Sequence, residues 1–141
     1  MQNLIMQRSS YVLDTNIWIS AIISNSFYDL AKIILDHNLK IFICPEMILE
    51  LEDVLKRSKF KKYLKNTIPF YISEIQKICI LEFSETKYNE APDKDDNYLY
   101  DICIETKSIL VTGDKLLLTY ISNPLVITIS RNDFFKLISR L

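Results

Sequence analysis

The sequence predicts an α/β domain in which helices cover both faces of a central parallel sheet of four or five strands. Its β-prone runs are short and nearly continuous in apolar residues, as in strands buried on both faces, whereas a strand with one wet face would alternate. These runs alternate along the chain with segments of helical periodicity. A single glycine among 141 residues leaves few positions for the tight hairpins of an all-β fold.

In the N-terminal half, apolar runs predict two strands and helical spacing predicts four helices. The strands are residues 10–13 and 40–44, and the helices span 17–23, 27–37, 45–57 and about 71–80. The helix at 45–57 is the clearest of these, because Pro45 suits a first helical turn and apolar residues follow it at helical spacing.

In the C-terminal half, residues 82–97 are polar, acidic and interrupted by a proline, so they predict a loop. The elements expected after it are a helix at 98–107, strands at 108–112 and 125–129, a short helix after Asp114, and a last helix at 132–141. Gly113 is expected to supply the turn after the third strand, and Ser130 with Asp133 to form the N-terminal cap of the last helix.

Composition excludes several classes of protein. Lys and Arg number 17 and Asp and Glu number 18, so the net charge of -1 gives no general attraction for a polyanion. The three cysteines are odd in number and widely spaced, which indicates neither a disulfide framework nor a thiolate zinc site and favours a reducing compartment. No apolar run approaches the roughly 20 residues of a membrane span, and the first ten residues lack a leader pattern. We expect a single cytoplasmic domain over residues 1–141, without a membrane anchor.

Acidic residues are expected to collect at one edge of the sheet. In open α/β sheets, ligands bind outside the carboxyl ends of the strands, and Asp14 and Asp114 each follow a strand there. Further acids lie on neighbouring helices: Asp93, Asp95 and Asp96 at a helix start, and Glu46, Glu50 and Asp53 in a row along one helix face.

Each acid taken alone could be a helix cap, a favourable charge at a helix start or part of a solvated face. Taken together, clustered carboxylates repel one another and raise one another's pKa unless a cation neutralises them. An all-oxygen site without His or Cys suits Mg²⁺ or Mn²⁺. The one histidine, His37, is expected in a surface helix and without a catalytic role.

Four motifs in order along the chain carry a family resemblance. They are YVLDTNIWISAI, CPEMILELEDVL, DKDDNYLYDI and ILVTGDKLLL, and the closing SRNDFFKLI adds to them. With these motifs the sequence resembles the PIN-domain ribonucleases, and within them the toxins of toxin–antitoxin systems. The resemblance implies a three-layer PIN-like fold and hydrolysis of a phosphodiester in RNA.

The resemblance also assigns roles to residues. It implies that four acids are catalytic and bind Mg²⁺ or Mn²⁺: Asp14, Glu50, Asp96 and Asp114. Asp95 is a rival of Asp96 for the third position, because the helix register there is open by one residue. Asn16 and Thr112 are expected to support these ligands. Lys94, Asn97 and Leu117 depart from the family pattern and leave open whether one or two metals bind.

The resemblance further implies a single-stranded RNA substrate, a cognate antitoxin and a homodimer. A basic run could attract RNA phosphates, with Phe60 and Tyr63 as stacking groups, or could be only a solubilising face. The run comprises Lys56, Arg57, Lys59, Lys61, Lys62 and Lys65.

Two other functions fit the same pattern. A catalytically silent PIN-like module could bind RNA or another protein. An aspartyl-phosphate enzyme would also place aspartates at strand ends, but the T-N that follows Asp14 gives no signature of that class.

Overall fold

Five parallel strands form the central sheet of the structure, which is a computed structural model that describes residues 10–120 and 126–141. The strands are β1 (Ser10–Leu13), β2 (Lys40–Ile43), β3 (Ile80–Leu81), β4 (Ile109–Val111) and β5 (Ile127–Ile129). Their order across the sheet is β3-β2-β1-β4-β5, and every neighbouring pair is parallel. The predicted α/β class with a central parallel sheet is therefore confirmed.

Helices flank this sheet. They are α1 (Thr15–Ile23), α2 (Phe27–Asp36), α3 (Pro45–Leu55), α4 (Ile68–Ile78), α5 (Asn97–Thr106), α6 (Lys115–Thr119) and α7 (Arg131–Ile138), with 3-10 helices at Ser58–Tyr63 and Lys94–Asp96. The predicted cap of the last helix is present, because Ser130 Oγ accepts a hydrogen bond from the backbone N–H of Asp133 at 3.1 Å. None of the helices within the described ranges is long and apolar enough to cross a bilayer.

Strand β3 was not predicted. The helix expected to reach residue 80 ends at Ile78, and Ile80 and Leu81 pair with β2 at the edge of the sheet. The apolar run from Ile78 to Leu81 contains no glycine or proline, so nothing in the sequence marks the change from helix to strand. The sheet was expected to have four or five strands, and with β3 it has five.

Gly113 lies in the loop after β4, where it was expected to supply the turn. Gly113 does not adopt a positive φ, and a Cβ built on it would meet only Asn16 Oδ1, at 3.7 Å. Within the described residues, positive φ angles fall instead on three asparagines and a lysine: Asn25, Asn38, Asn89 and Lys107. Asparagine tolerates this conformation better than most residues, so a chain poor in glycine can still end its helices with left-handed residues.

The core is continuous through the sheet. Strands β1 and β4 are fully buried, and α5 packs on β1, β2 and β4. Trp18 of α1 and Phe134 of α7 are both 0% exposed. Because the two strands are buried, the residues that immediately follow them begin from well-packed positions. The N-terminal region tested for a leader pattern (residues 1–9) and Leu125 of the predicted last strand lie outside the described residues.

Candidate active site

The carboxyl ends of β1 and β4 meet at the point where the strand order changes direction. The chain proceeds from β1 outward through β2 and β3, and then returns to place β4 on the other side of β1. A ligand crevice is expected at such a switch point in an open α/β sheet. The backbone N–H of Asp14 donates to the carbonyl of Val111 at 2.9 Å, which holds the loops after the two strands side by side.

Asp14 is buried at this point, with only 6% of the residue exposed. Its carboxylate accepts hydrogen bonds from Thr112 Oγ1 at 2.7 Å, Asn16 Nδ2 at 3.0 Å and Thr15 Oγ1 at 3.3 Å. Burial raises the pKa of Asp14, the bond from Thr112 opposes that rise, and the charge of Glu50 adds to it. The side chain makes no capping hydrogen bond to α1, so the interpretation of Asp14 as a helix cap is not supported.

Thr112 and Asn16 connect Asp14 with the loop after β4. Thr112 Oγ1 donates to Asp14 and accepts from the backbone N–H of Asp114 at 3.0 Å. Asn16 Nδ2 donates to the same carboxylate, and its Oδ1 accepts from the N–H of Gly113 at 3.4 Å. Both side chains therefore lie beside Asp14 and donate hydrogen bonds to its carboxylate.

Asp114 caps a helix and also contributes charge to the site. Its Oδ1 accepts a hydrogen bond from the backbone N–H of Leu116 at 2.9 Å, which caps α6. Its charge nevertheless raises the pKa of Asp96. The capping alternative and the functional one are both compatible with this geometry.

Asp96 is the acid of the D-K-D-D segment that faces the others. Its pKa is raised to about 6, first by burial and then by the surrounding carboxylates of Asp14, Asp93, Asp114 and Glu50. Asp95, in contrast, is exposed, and Asp93 caps the 3-10 helix by accepting from the N–H of Asp95 at 3.0 Å. Of the two rivals for the third position, Asp96 is therefore the one that lies among the other acids.

Glu50 of α3 reaches the same cluster and is held by a tyrosine that the sequence did not indicate. The hydroxyl of Tyr98 donates a hydrogen bond to Glu50 Oε2. Burial, this hydrogen bond and the charge of Glu50 all raise the pKa of Tyr98. An aromatic residue in the first turn of an apolar helix is usually a core residue, so no sequence signal singled it out.

The other acids in the row along α3 are not part of the cluster. Glu46 and Asp53 are exposed, so the solvated-face alternative describes them. The six basic residues of the run are exposed as well and follow the end of α3. His37 is exposed, with Nδ1 3.0 Å from the carbonyl of Ile33.

The cluster offers hard oxygen donors but no completed ligand set. Within residues 10–120 and 126–141, no group of three or more His, Cys, Asp or Glu side chains is arranged closely enough to hold a metal ion. The expected ligands Asp14, Glu50, Asp95, Asp96 and Asp114 are therefore not assembled as a closed cage. Mg²⁺ usually keeps several waters and binds one or two carboxylates directly, so an open group of unneutralised carboxylates fits it. The ion pairs Lys32–Asp36 and Lys77–Glu74 do not involve these acids.

Comparison with known proteins agrees with this architecture. The profile of a family described as a PIN domain matches residues 10–116, which include all of the clustered acids. The chain is also 28% identical over 112 residues to an uncharacterized protein of Methanocaldococcus jannaschii, an alignment that covers 77% of this chain and 72% of that protein. No solved structure matches the chain.

Proposed function

The chain belongs to the PIN domain family, whose members are generally metal-dependent nucleases, and on that premise we propose that it is an endoribonuclease that cleaves single-stranded RNA. The observation that supports this proposal most is the grouping of acids at the switch point of the sheet, where the charge of Glu50 raises the pKa of Asp14 and the charges of Asp14, Glu50 and Asp114 raise the pKa of Asp96. Such a group of like charges is unfavourable without a cation, so the arrangement is typical of a metal-assisted site and goes beyond what the cap that Asp114 provides to α6 would require.

The four acids are the residues that would hold Mg²⁺ or Mn²⁺. When bound, such a cation stabilises the negative charge that develops on the phosphoryl oxygens during hydrolysis. Asp14 is oriented by Thr112 and Asn16, which fixes the direction in which its free electron pairs point. Glu50 or Asp96 would orient the attacking water and accept its proton. No side-chain nucleophile is required in this scheme.

We further propose that the protein is the toxin of a type II toxin–antitoxin pair, acting in the cytoplasm as a homodimer. This proposal is supported by the four motifs that resemble the toxins of such systems. An unrestrained ribonuclease would harm its own cell, so a cognate antitoxin is part of the proposal.

A second candidate is a catalytically silent PIN-like module that binds RNA or protein. One observation favours it: the acids in the described part of the chain do not form a ready-made ligand set of three. In a silent module, the acids would tolerate substitution and the protein would show no metal-dependent activity.

Cleavage of a fluorescent single-stranded RNA in Mn²⁺ and in EDTA separates the two candidates. The matched variants are Glu50→Gln, inside the cluster, and Glu46→Gln, exposed one turn earlier on α3. We expect cleavage by the wild type and by Glu46→Gln in Mn²⁺, with none by Glu50→Gln or in EDTA. Equal cleavage in EDTA, or by Glu50→Gln, would contradict the nuclease proposal.

A further inference from the structure

The chain between α3 and α4 carries a concentrated positive charge. This basic segment, residues 56–65, holds six Lys and Arg side chains, all of them exposed. The ion pairs Lys32–Asp36 and Lys77–Glu74 of the described residues involve none of these six side chains. The net charge of the whole chain is -1, so this density of positive charge is local. A helix end can be favoured by one or two cations, but six exceed what capping of α3 requires.

Two helices lead from the acidic cluster to the basic segment. Helix α1 begins directly after Asp14, and its last residue, Ile23, lies against the 3-10 helix of the segment. Helix α3 carries Glu50 and ends at Leu55, where the basic segment begins. At 1.5 Å per residue, the nine residues of α1 separate Asp14 from this region by roughly 13 Å. The cluster and the segment therefore lie near opposite ends of α1.

An open cavity of about 770 Å³ lies beside the C-terminal end of α1. It is lined by Ile23 and by residues 58–63, which contribute both ammonium groups and aromatic rings. Lys59 Nζ lies 5.0 Å from the centre of the Phe60 ring, and Lys62 Nζ lies 5.2 Å from the centre of the Tyr63 ring. Each pair places a cation beside a ring, which is the combination that binds the phosphate and the base of an unpaired nucleotide.

We propose that this cavity is a second binding site for single-stranded RNA, which holds the strand at a distance from the bond that the acidic cluster cleaves. The proposal rests on the proposed nuclease function and adds the route of the substrate. At about 3.4 Å per stacked nucleotide, a separation of roughly 13 Å corresponds to about four nucleotides. Aromatic rings distinguish an unpaired strand from a duplex, because the faces of paired bases are already stacked within the helix.

Binding can be measured without cleavage in the Asp14→Asn background with Mg²⁺ present. The probe is a fluorescein-labelled, unstructured RNA of about twelve nucleotides, within the usual site sizes of such grooves. The test variant is Lys59→Gln with Lys62→Gln. The matched control is Lys136→Gln with Arg140→Gln, which removes the same charge from exposed positions at the C-terminal end of the chain.

We expect the test variant to bind RNA about tenfold more weakly. The slope of log K against log[salt] should become less steep by about 1.4, because each of two lost single-strand phosphate contacts contributes about 0.7 to it. The control variant should bind as the background protein does. A Tyr63→Ala variant should lose the preference for single-stranded over duplex RNA without a change in the salt slope, since the phenol carries no charge.

The outcomes distinguish this inference from the proposed function. If the Asp14→Asn protein binds no single-stranded RNA, or if test and control variants bind alike, the second site is wrong, whatever the wild type cleaves. Equal affinity for duplex RNA would also overturn it. If binding depends on Lys59 and Lys62 as expected but wild type cleaves no RNA in Mn²⁺ or Mg²⁺, the second site stands and the nuclease proposal fails.

Discussion

Thr112 Oγ1 donates a 2.7 Å hydrogen bond to Asp14 Oδ2 across 98 positions of sequence, and the same oxygen accepts from the backbone N–H of Asp114. One hydroxyl thus satisfies a buried carboxylate and a backbone donor together. The bond fixes the loop after β4 against the loop after β1 at the switch point of the sheet. Replacement of this hydroxyl should therefore affect both stability and activity.

A pair of variants at Thr112 tests this relationship. Thr112→Val keeps the shape of the side chain but leaves the Asp114 N–H unpaired and removes a donor from Asp14, so we expect a loss of about 1–3 kcal/mol in the free energy of unfolding. Thr112→Ser keeps the hydroxyl and should lose less than 1 kcal/mol, mostly through the missing methyl group. Urea unfolding of both proteins measures the difference. Equal stability of the two variants would show that the hydroxyl contributes nothing.

Asp96 should make the metal-free protein less stable at neutral pH than its amide variant. Because its pKa is raised from 3.8 to about 6 in the folded state, the folded chain holds a proton between about pH 4 and 6 that the unfolded chain releases. The stabilisation from this proton is fully present below pH 4 and is lost as pH rises through 6. Asp96→Asn should therefore be more stable than wild type by about 1 kcal/mol above pH 6, a value reduced for the partial exposure of the group.

Thermal unfolding in EDTA at pH 4 and pH 7.5 measures this difference, which should shrink towards zero at the lower pH. A loss of stability in Asp96→Asn at pH 7.5 would identify Asp96 as a structural group. Saturating Mn²⁺ should reverse this order of stability. Bound Mn²⁺ stabilises the folded wild type by about 2.7 kcal/mol when its concentration is 100 times the dissociation constant, and it should stabilise the variant less.

Much of the site could be predicted because parallel strands end at a common edge. Asp14 and Asp114 follow β1 and β4 directly, so recognising two apolar runs was enough to place them near each other. The choice between Asp95 and Asp96 could not be made in this way. The D-K-D-D segment forms a single 3-10 turn, and a change of one residue in its register decides which carboxylate faces the cluster.

The parts that the sequence did not predict depend on tertiary contacts. Strand β3 has two residues, both exposed, and exists only because it pairs with β2 at the edge of the sheet. The hydrogen bond from Tyr98 to Glu50 joins residues 48 positions apart on two helices. No local pattern specifies either feature, since both depend on how separate elements pack.

Tyr98→Phe tests whether the tyrosine positions Glu50. The substitution preserves the ring and removes only the donor to the Glu50 carboxylate. Partners of this kind that orient metal-binding carboxylates are typically worth 10- to 100-fold in metal affinity or activity, so we expect the Mn²⁺ concentration for half-maximal cleavage to rise by about tenfold or more. Tyr28→Phe, at an exposed tyrosine of α2, is the matched control and should leave this concentration unchanged. An unchanged Mn²⁺ dependence in Tyr98→Phe would assign the residue to packing alone.

Gly113→Ala should be tolerated, although Gly113 is the one glycine of the chain. The residue does not need a positive φ, and the added Cβ would make an ordinary 3.7 Å contact with Asn16 Oδ1. Alanine also restricts the unfolded chain, so we expect stability to rise by about 0.4–1 kcal/mol. Thermal unfolding measures the change. A loss of more than 1 kcal/mol would mean that the loop after β4 requires glycine after all.

The toxin proposal predicts that expression of the wild type alone arrests bacterial growth, whereas Asp14→Asn does not. The amide keeps an acceptor for Thr112 and removes the charge that the proposed cation requires, so the variant should fold and accumulate normally. Glu46→Gln, exposed and outside the cluster, should arrest growth as the wild type does. Growth curves after induction, with immunoblots for the amount of soluble protein, measure these outcomes.

Co-expression of the protein encoded by the adjacent gene should restore growth if that protein is the antitoxin. The ion pairs Lys32–Asp36 and Lys77–Glu74 of residues 10–120 and 126–141 do not involve the acids at the switch point. We therefore expect the antitoxin to present an Arg or Lys to these acids, since a guanidinium can replace the charge of the cation and bind a carboxylate through two hydrogen bonds. Replacement of that Arg or Lys of the antitoxin by Gln should abolish the rescue of growth. It should also weaken binding to the wild-type protein more than binding to Asp14→Asn, because the variant has already lost the charge of Asp14. Unimpaired growth of cells that contain soluble wild-type protein able to cleave RNA in Mn²⁺ would exclude the toxin role while leaving a nuclease with another task in the cell.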